Sequence, residues 1–350
     1  MPPRVPSPPQ VPTTGPSATL DEIRALMREL PGPDLEAATA CTSRDAQLTK
    51  PAGSLGRLEE LSVWLCAWQG RHPPSVEHPR TAVFAGNHGV VARGVSAFPQ
   101  AVTAQMVQNF VDGGAAVNQL CQILDADLRV YELDLDNPTS DFTTGPAMDE
   151  SDCARAIAYG MMAVEPGIDL ICLGEMGIGN TTSAAALCLG LYGGGAEDWT
   201  GPGTGVSGDA LEKKRRAVAE GVRCNRWGDA FSLLACVGGL ELAAIVGGII
   251  AARLARTPVL LDGFACTAAA AVLHAIDPRA LDHCQVAHLS AEPGHRRLCE
   301  KIGKRPLLDL NMRLGEGSGA TLAACLVRAA AACHTGMATF GEAGVANRSH

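Results

Sequence analysis

The chain has 350 residues, 47% of them hydrophobic and 19% charged, which is enough to bury the core of one large domain or two modest ones. A formal net charge of -9 and a pI near 5.5 exclude a general binder of nucleic acid or of anionic membranes, although a local basic pocket can still hold one phosphate. The 13 cysteines are odd in number, form no C-x-x-C pair and sit mostly in apolar runs such as "DLICLG" and "ATLAACLVRAA", so reduced, buried thiols are expected.

In chain order, residues 1–17, "MPPRVPSPPQVPTTGPS", are rich in proline and lack an apolar stretch of signal-peptide length, which predicts a disordered leader outside the fold. Next, "TLDEIRALMREL" and "GRLEELSVWLCAWQG" have helical spacing, with Leu58, Leu61 and Leu65 on one face and no strand between them. They read as a helical subdomain, ended by the proline cluster "RHPPSVEHPR". From there short apolar runs alternate with alanine-rich stretches. "TAVFAG", "LRVYELD", "DLICLG" and "PVLLDGF" read as strands, each followed by Gly or Asp and then helix-like sequence. That alternation predicts an α/β fold with a parallel, doubly wound sheet and no internal repeat. The most apolar segment, "FSLLACVGGLELAAIVGGIIAARLAR", carries Glu241 near its middle, so it reads as a buried helix rather than a membrane span, and the chain as cytoplasmic.

Ligands of open parallel sheets sit beyond the carboxyl ends of the strands, which directs attention to the loops there. After "DLICLG" comes "GEMGIGNTTSAAALCLG", where Gly177 and Gly179 allow a tight turn and Asn180, Thr181 and Thr182 open a helix. Free N–H groups and hydroxyls there suit a phosphate; the same residues also read as an ordinary helix cap. There is no Walker lysine, and Gly174, Gly177 and Gly179 lack the dinucleotide spacing. A second loop, "GPGTGVSGDALEKKRRAV", brings Lys213, Lys214, Arg215 and Arg216; helical spacing lets one or two of these reach a ligand while the others face solvent. The third loop carries Asn87, His88 and Ser96 just past a strand end, where a histidine reads first as a hydrogen-bonded loop residue. In "DHCQVAHLSAEPGH", Cys284, His288 and His295 match no common zinc spacing, and no metal is expected there. Last, "MRLGEGSGATLAA" sets one carboxylate, Glu316, among three glycines before a helical run.

The blocks "KPAGSLGRLEEL", "VFAGNHGV", "GVSAFPQAVTAQMV", "GGAAVN", "GEMGIGNTTSAAAL", "PVLLDGF", "HLSAEPGH" and "RLGEGSGA", in this order and from about Ala18 to "MATFGEAGV", resemble the nicotinate-nucleotide:dimethylbenzimidazole phosphoribosyltransferase family. The resemblance implies a large Rossmann-like parallel-sheet domain, residues 79–333, and a small helical domain built from both chain ends, 18–78 with 334–350, usually in a homodimer. It implies transfer of the phosphoribosyl group of nicotinate mononucleotide to dimethylbenzimidazole, with two small-molecule substrates and no cofactor.

By the same resemblance Glu316 is the general base. The phosphate and ribose are met by Gly177, Gly179, Asn180, Thr181, Gly203, Ser290 and one of Lys213 and Lys214, with Lys214 favoured. The aromatic base is bordered by Glu175, Met176, Ser96, Leu314 and Gly315, with Asn87 and His88 at the same end. Phe98 and Met176 are candidates for stacking on it. A lone acid suits this chemistry: the departing pyridinium leaves neutral without a proton, and only the attacking benzimidazole must lose one. One departure is Asn87, where the family usually has aspartate. Other readings are a different acceptor base, a silent nucleotide-binding protein, or an enzyme using phosphoribosyl pyrophosphate. The last needs adjacent acids and a Thr-Gly-Gly turn, which "LRVYELDLDNPTS" lacks.

Overall fold

The structure, a computed structural model, describes residues 18–346; the expected leader, 1–17, and the last four residues lie outside them. The amino-terminal part is helical, with α1 (Leu20–Met27), α2 (Leu35–Asp45) and α3 (Arg57–Gln69). The α/β part begins with β1 (Pro79–Ala85), α4 (Ala101–Asp112), α5 (Ala116–Leu124), β2 (Asp127–Glu132), α6 (Glu150–Met161), β3 (Leu170–Met176) and α7 (Asn180–Tyr192). It continues through α8 (Gly208–Cys224), α9 (Ala230–Val237), α10 (Leu240–Leu254), β4 (Val259–Leu261), α11 (Phe264–Ile276), β5 (Cys284–Val286) and α12 (Pro293–Lys301). Two helices close the chain, α13 (Ser318–Gly336) and α14 (Phe340–Ala343).

The five strands form one parallel sheet in the order β2-β1-β3-β4-β5, as the alternation predicts. β5 is the strand not anticipated: β4 is equally short but reads as an apolar run, Val-Leu-Leu, whereas β5 is Cys-Gln-Val, with a polar residue at its centre. Successive side chains serve opposite faces. Ala82 and Phe84 of β1, with Ile171 and Leu173 of β3, join the core formed with α6, α7, α9, α10 and α11. On the other face, Val83 and Ala85 pack on α4 and α5, while Leu170, Cys172 and Leu260 pack on α3 and α13. A sheet covered on both faces explains why its strands are near-continuous apolar runs.

The apolar segment expected to be one helix is two, broken at Gly238–Gly239. The residue at the break has to be glycine, since a Cβ on Gly239 would lie 2.3 Å from the His88 ring. Glu241 therefore falls in the first turn of α10, where the helix dipole favours a negative charge.

The two chain ends meet beside α3. Arg44 of α2 donates to the carbonyls of His334 and Met337, the Thr49 amide to that of Ala338, and the Phe340 amide to that of Gln47. Helix α1 instead sets Leu20, Ile23 and Met27 into the core beside α6, with Arg24 paired to Asp229 at 2.7 Å. Among the described residues no helix is long and apolar enough to cross a membrane.

Candidate active site

The strand order reverses between β1 and β3, and the crevice beyond their carboxyl ends is where such sheets bind ligands. A cleft lies there, lined by Glu175, Met176, Asn180, Thr181, Gly203, Ser290, Leu314 and Gly315. It narrows past Ser96, Gly177, Gly179 and Lys214. Of the residues expected at the site, Asn87, His88, Phe98 and Glu316 do not line this cleft, and neither does Lys213, the less favoured of the lysine pair. Two roomier clefts lie elsewhere, one beside α1 and Trp227 and one beside Asn137 and Arg155; neither contains any of these residues.

One end of the cleft is built to hold an anion. β3 runs into the turn Gly177–Gly179, and Gly179, at φ +100°, precedes the first turn of α7. The Asn180 side chain donates to Glu175 and accepts the Thr181 amide at 2.7 Å. From α8, Lys214 reaches in with 1% exposure and donates to Thr181 Oγ1 at 2.7 Å and to the Gly201 carbonyl at 3.0 Å. Burial pushes this ammonium down to about 8, with Glu292 opposing. Lys213 is exposed, so of the pair only Lys214 touches Thr181. Gly203, at φ +55°, passes so close that a Cβ would come 2.8 Å from Thr181 Oγ1 and 2.9 Å from Lys214 Nζ, which leaves room for glycine alone.

At the other end, Leu314 and Gly315 line the cleft and Glu316 follows, 4% exposed, with Oε2 lacking a hydrogen-bond partner. Gly315, Glu316 and Gly317 are all left-handed, at φ +82°, +65° and +76°. For a glutamate this conformation is strained and is held by its surroundings. The Glu316 amide donates to the Glu175 carbonyl at 3.1 Å. Asp262, just past β4, accepts the Gly317 and Ala320 amides at 3.1 and 2.8 Å, capping α13. Burial, and then the Asp262 charge, push the Glu316 carboxyl up to about 7. Glu175 is raised to about 8, first by burial and then by Glu241, Asp262 and Glu316, against its bond from Asn180.

Asn87 and His88 lie behind this surface rather than on it. His88 is fully buried: Nε2 is 2.6 Å from Glu241 Oε1 and Nδ1 is 3.0 Å from Ser183 Oγ. Asn87 donates from Nδ2 to the Leu135 carbonyl at 2.9 Å, away from both His88's ring partners and Glu316. Phe98 is 47% exposed and lines neither part of the cleft, whereas Met176 lines its wider part.

Sequence reasoning passed over four residues. Glu241 was visible as a lone acid in an apolar segment. Asp262 stood in a quoted block, "PVLLDGF". His288 lines the cleft 3.5 Å from Asp262 Oδ1; burial works to lower its pKa, yet Asp262 carries it above the ordinary value. Glu292, also in the lining, accepts the Gly203 amide at 2.8 Å. His295 is structural, with Nδ1 accepting the Ser290 amide at 2.8 Å and burial pushing its pKa down to about 3.

With this geometry in view, the comparisons with known proteins agree with one another. A family model described as phosphoribosyltransferase matches residues 30–345. The chain is 58% identical to the nicotinate-nucleotide–dimethylbenzimidazole phosphoribosyltransferase of Sinorhizobium medicae over 330 residues, 94% of this chain and 97% of the relative. It is 56% identical to the protein of that name from Brucella anthropi over 327 residues, 93% and 96% of the two chains. The crystal structure of the Thermus thermophilus protein of that name superposes with a TM-score of 0.84 at 42% identity, covering 90% of this chain and all of that one. The chain belongs to the nicotinate-nucleotide–dimethylbenzimidazole phosphoribosyltransferase family.

Proposed function

We propose that this chain transfers the phosphoribosyl group of nicotinate mononucleotide to dimethylbenzimidazole, with inversion at the anomeric carbon, giving α-ribazole phosphate and nicotinate for the lower ligand of cobalamin. The observation that carries this reading is one cleft with a buried cation, hydroxyl and glycine cradle at Lys214, Thr181 and Gly203, and Glu316 raised to about 7 beside its far end.

In the reaction, one benzimidazole nitrogen bonds to the ribose C1′ as the bond from C1′ to the pyridinium nitrogen breaks. The electron pair of the broken bond stays on that nitrogen, and nicotinate departs with a neutral ring. The other benzimidazole nitrogen releases its proton to Glu316. A carboxyl near neutrality is a stronger base than an ordinary one and is still ionised enough at working pH to accept it. Attack on the face opposite the departing base converts a β-nucleotide to an α-product. Gripping the phosphate at Lys214, Thr181 and the Gly177–Asn180 turn would hold the sugar in register, which supplies rate through positioning. Glu175, Met176, Ser96, Leu314 and Gly315 would border the bases, and Ser290 the ribose or a carboxylate. No pyrophosphate leaves, so the chemistry asks for no magnesium.

The same reading makes residues 18–78 and 334–350 the small helical domain and 79–333 the catalytic one, in a cytoplasmic homodimer. Contacts between the chain ends beside α3 support the first division for α2 and α3, whereas α1 packs on α6 of the catalytic part; sedimentation of the purified protein tests the dimer.

The decisive assay follows nicotinate release from nicotinate mononucleotide and dimethylbenzimidazole without magnesium, beside Glu316→Gln. Transfer in the parent and a loss of ~10²–10⁴ in the variant are expected. Transfer that survives the substitution would move the base elsewhere, and nucleotide binding without transfer would mean another acceptor or a silent binder.

A further inference from the structure

We propose that the Glu292 side chain is an internal stand-in for the substrate phosphate, occupying the Gly203 amide of the phosphate cradle and giving way when a phosphoryl group arrives. The inference rests on the phosphate-cradle reading given under the proposed function and adds a gate to it.

Glu292 immediately precedes α12 and is 5% exposed. Its Oε1 accepts the Gly203 amide at 2.8 Å, the group assigned to the phosphate. Its Oε2 is buried without a hydrogen-bond partner. A Cβ on Gly201 would fall 2.3 Å from that oxygen, so the carboxylate lies flat against the 201–203 backbone. The Lys214 ammonium holds the Gly201 carbonyl of the same segment at 3.0 Å, and Arg313 donates to the Gly203 carbonyl at 3.0 Å. Burial raises the Glu292 carboxyl above the ordinary carboxylate value, and Lys214, the Gly203 amide and Arg313 oppose that rise without cancelling it.

An anion thus already sits on the anion site. An orphaned carboxylate oxygen is a costly thing to bury, and here it is held against backbone that a ligand phosphate would share. A phosphate dianion and a carboxylate cannot both remain on the Gly203 amide, because like charges in contact repel by several times the thermal energy even with substantial screening. On binding, Glu292 must either swing off Gly203 or take up a proton. Its bond from the Gly203 amide holds the 201–203 segment in place until a ligand arrives, and the cost is weaker phosphate binding.

The test is the calorimetric affinity of ribose 5-phosphate and of nicotinate mononucleotide at pH 7.5, where both phosphates are dianions, for the wild type, Glu292→Gln and Glu292→Ala. Thermal melts check that each is folded. Glutamine keeps the acceptor for the Gly203 amide and loses only the charge; alanine loses both. The expected result is ribose 5-phosphate binding tighter by about fivefold or more in Glu292→Gln, with a gain in Glu292→Ala as well. Unchanged or weaker binding in both variants would overturn the proposal and make Glu292 an anchor of the loop, or an acceptor for a ribose hydroxyl. If ribose 5-phosphate shows the gain but the wild type never transfers a base, this inference stands and the proposed function falls. Base transfer without the gain is the reverse.

Discussion

His88 Nε2 lies 2.6 Å from Glu241 Oε1, and neither side chain has any exposure. This pair joins the loop after β1 to the first turn of α10, and Ser183 ties it to α7. It is the floor of the phosphate turn, since a Cβ on Gly179 would come 3.1 Å from His88 Cβ, and one on Gly177 would come 3.5 Å from Glu241 Oε1. Breaking a buried pair leaves one polar group without its partner, at ~3–5 kcal/mol. Glu241→Ala and His88→Ala are each expected to lose about that much stability in urea unfolding. The double variant should lose much less than the sum, because the two share one interaction. Additive losses would show that the residues act separately.

That pair also marks where sequence reading stops. Strands β1 to β4 were legible because a sheet covered on both faces leaves apolar runs, and the loops after them were legible because turns need glycine and helix starts need Asn or Thr. His88 and Glu241 are 153 residues apart, and nothing local in either segment says that they touch. Asp262 capping a helix whose first residue is Ser318 is hidden in the same way. The break at Gly238–Gly239 was missed for a related reason: its close neighbour is the distant His88 ring, while the local pattern reads as one apolar helix. That Lys214 and not Lys213 meets Thr181 depends on which face of α8 is buried, and adjacent lysines in sequence do not show it.

Glu316 should trade stability for activity. Its carboxyl is raised in the folded chain to about 7, from an ordinary value of 4.5. For an acid raised by folding, the native state binds the extra proton between those two values. Its contribution is therefore neutral below about 4.5, falls as pH rises through the window, and is fully unfavourable above 7. Glu316→Gln is expected to be more stable than the wild type at pH 8 by about 1–3 kcal/mol, a difference that vanishes near pH 4, while base transfer is lost. Equal melting temperatures at pH 8 would mean that the burial carries no such cost.

The pH profile of kcat/KM should be bell-shaped. With Glu316 as the proposed base, activity should rise with pH through about 7 as it ionises; with Lys214 at the proposed phosphate site, it should fall as pH passes about 8. Lys214→Gln is expected to raise KM for the nucleotide and to remove the alkaline limb while leaving the acid limb in place. A wild-type profile flat from pH 6 to 9 would disconnect both groups from the rate.

Gly174 fixes the height of the catalytic loop. In β3 it faces the loop so closely that a Cβ would fall 2.3 Å from the Gly317 amide nitrogen, 2.4 Å from Gly317 Cα and 2.9 Å from the Glu316 carbonyl carbon. All three contacts are with backbone, so no side-chain rotation relieves them, and Gly174→Ala must push Glu316 outward. A displacement of about 1 Å at a reacting group can cost on the order of 10²-fold in rate. The proposed phosphate cradle is built from α7, α8 and the Gly203 loop, whereas the atoms nearest to a Cβ on Gly174 belong to Glu316 and Gly317. The expected result is therefore a folded variant with kcat lowered by about that factor and near-normal affinity for ribose 5-phosphate. If the two fall together, β3 carries the strain into the Gly177–Asn180 turn, and the two ends of the cleft are mechanically one.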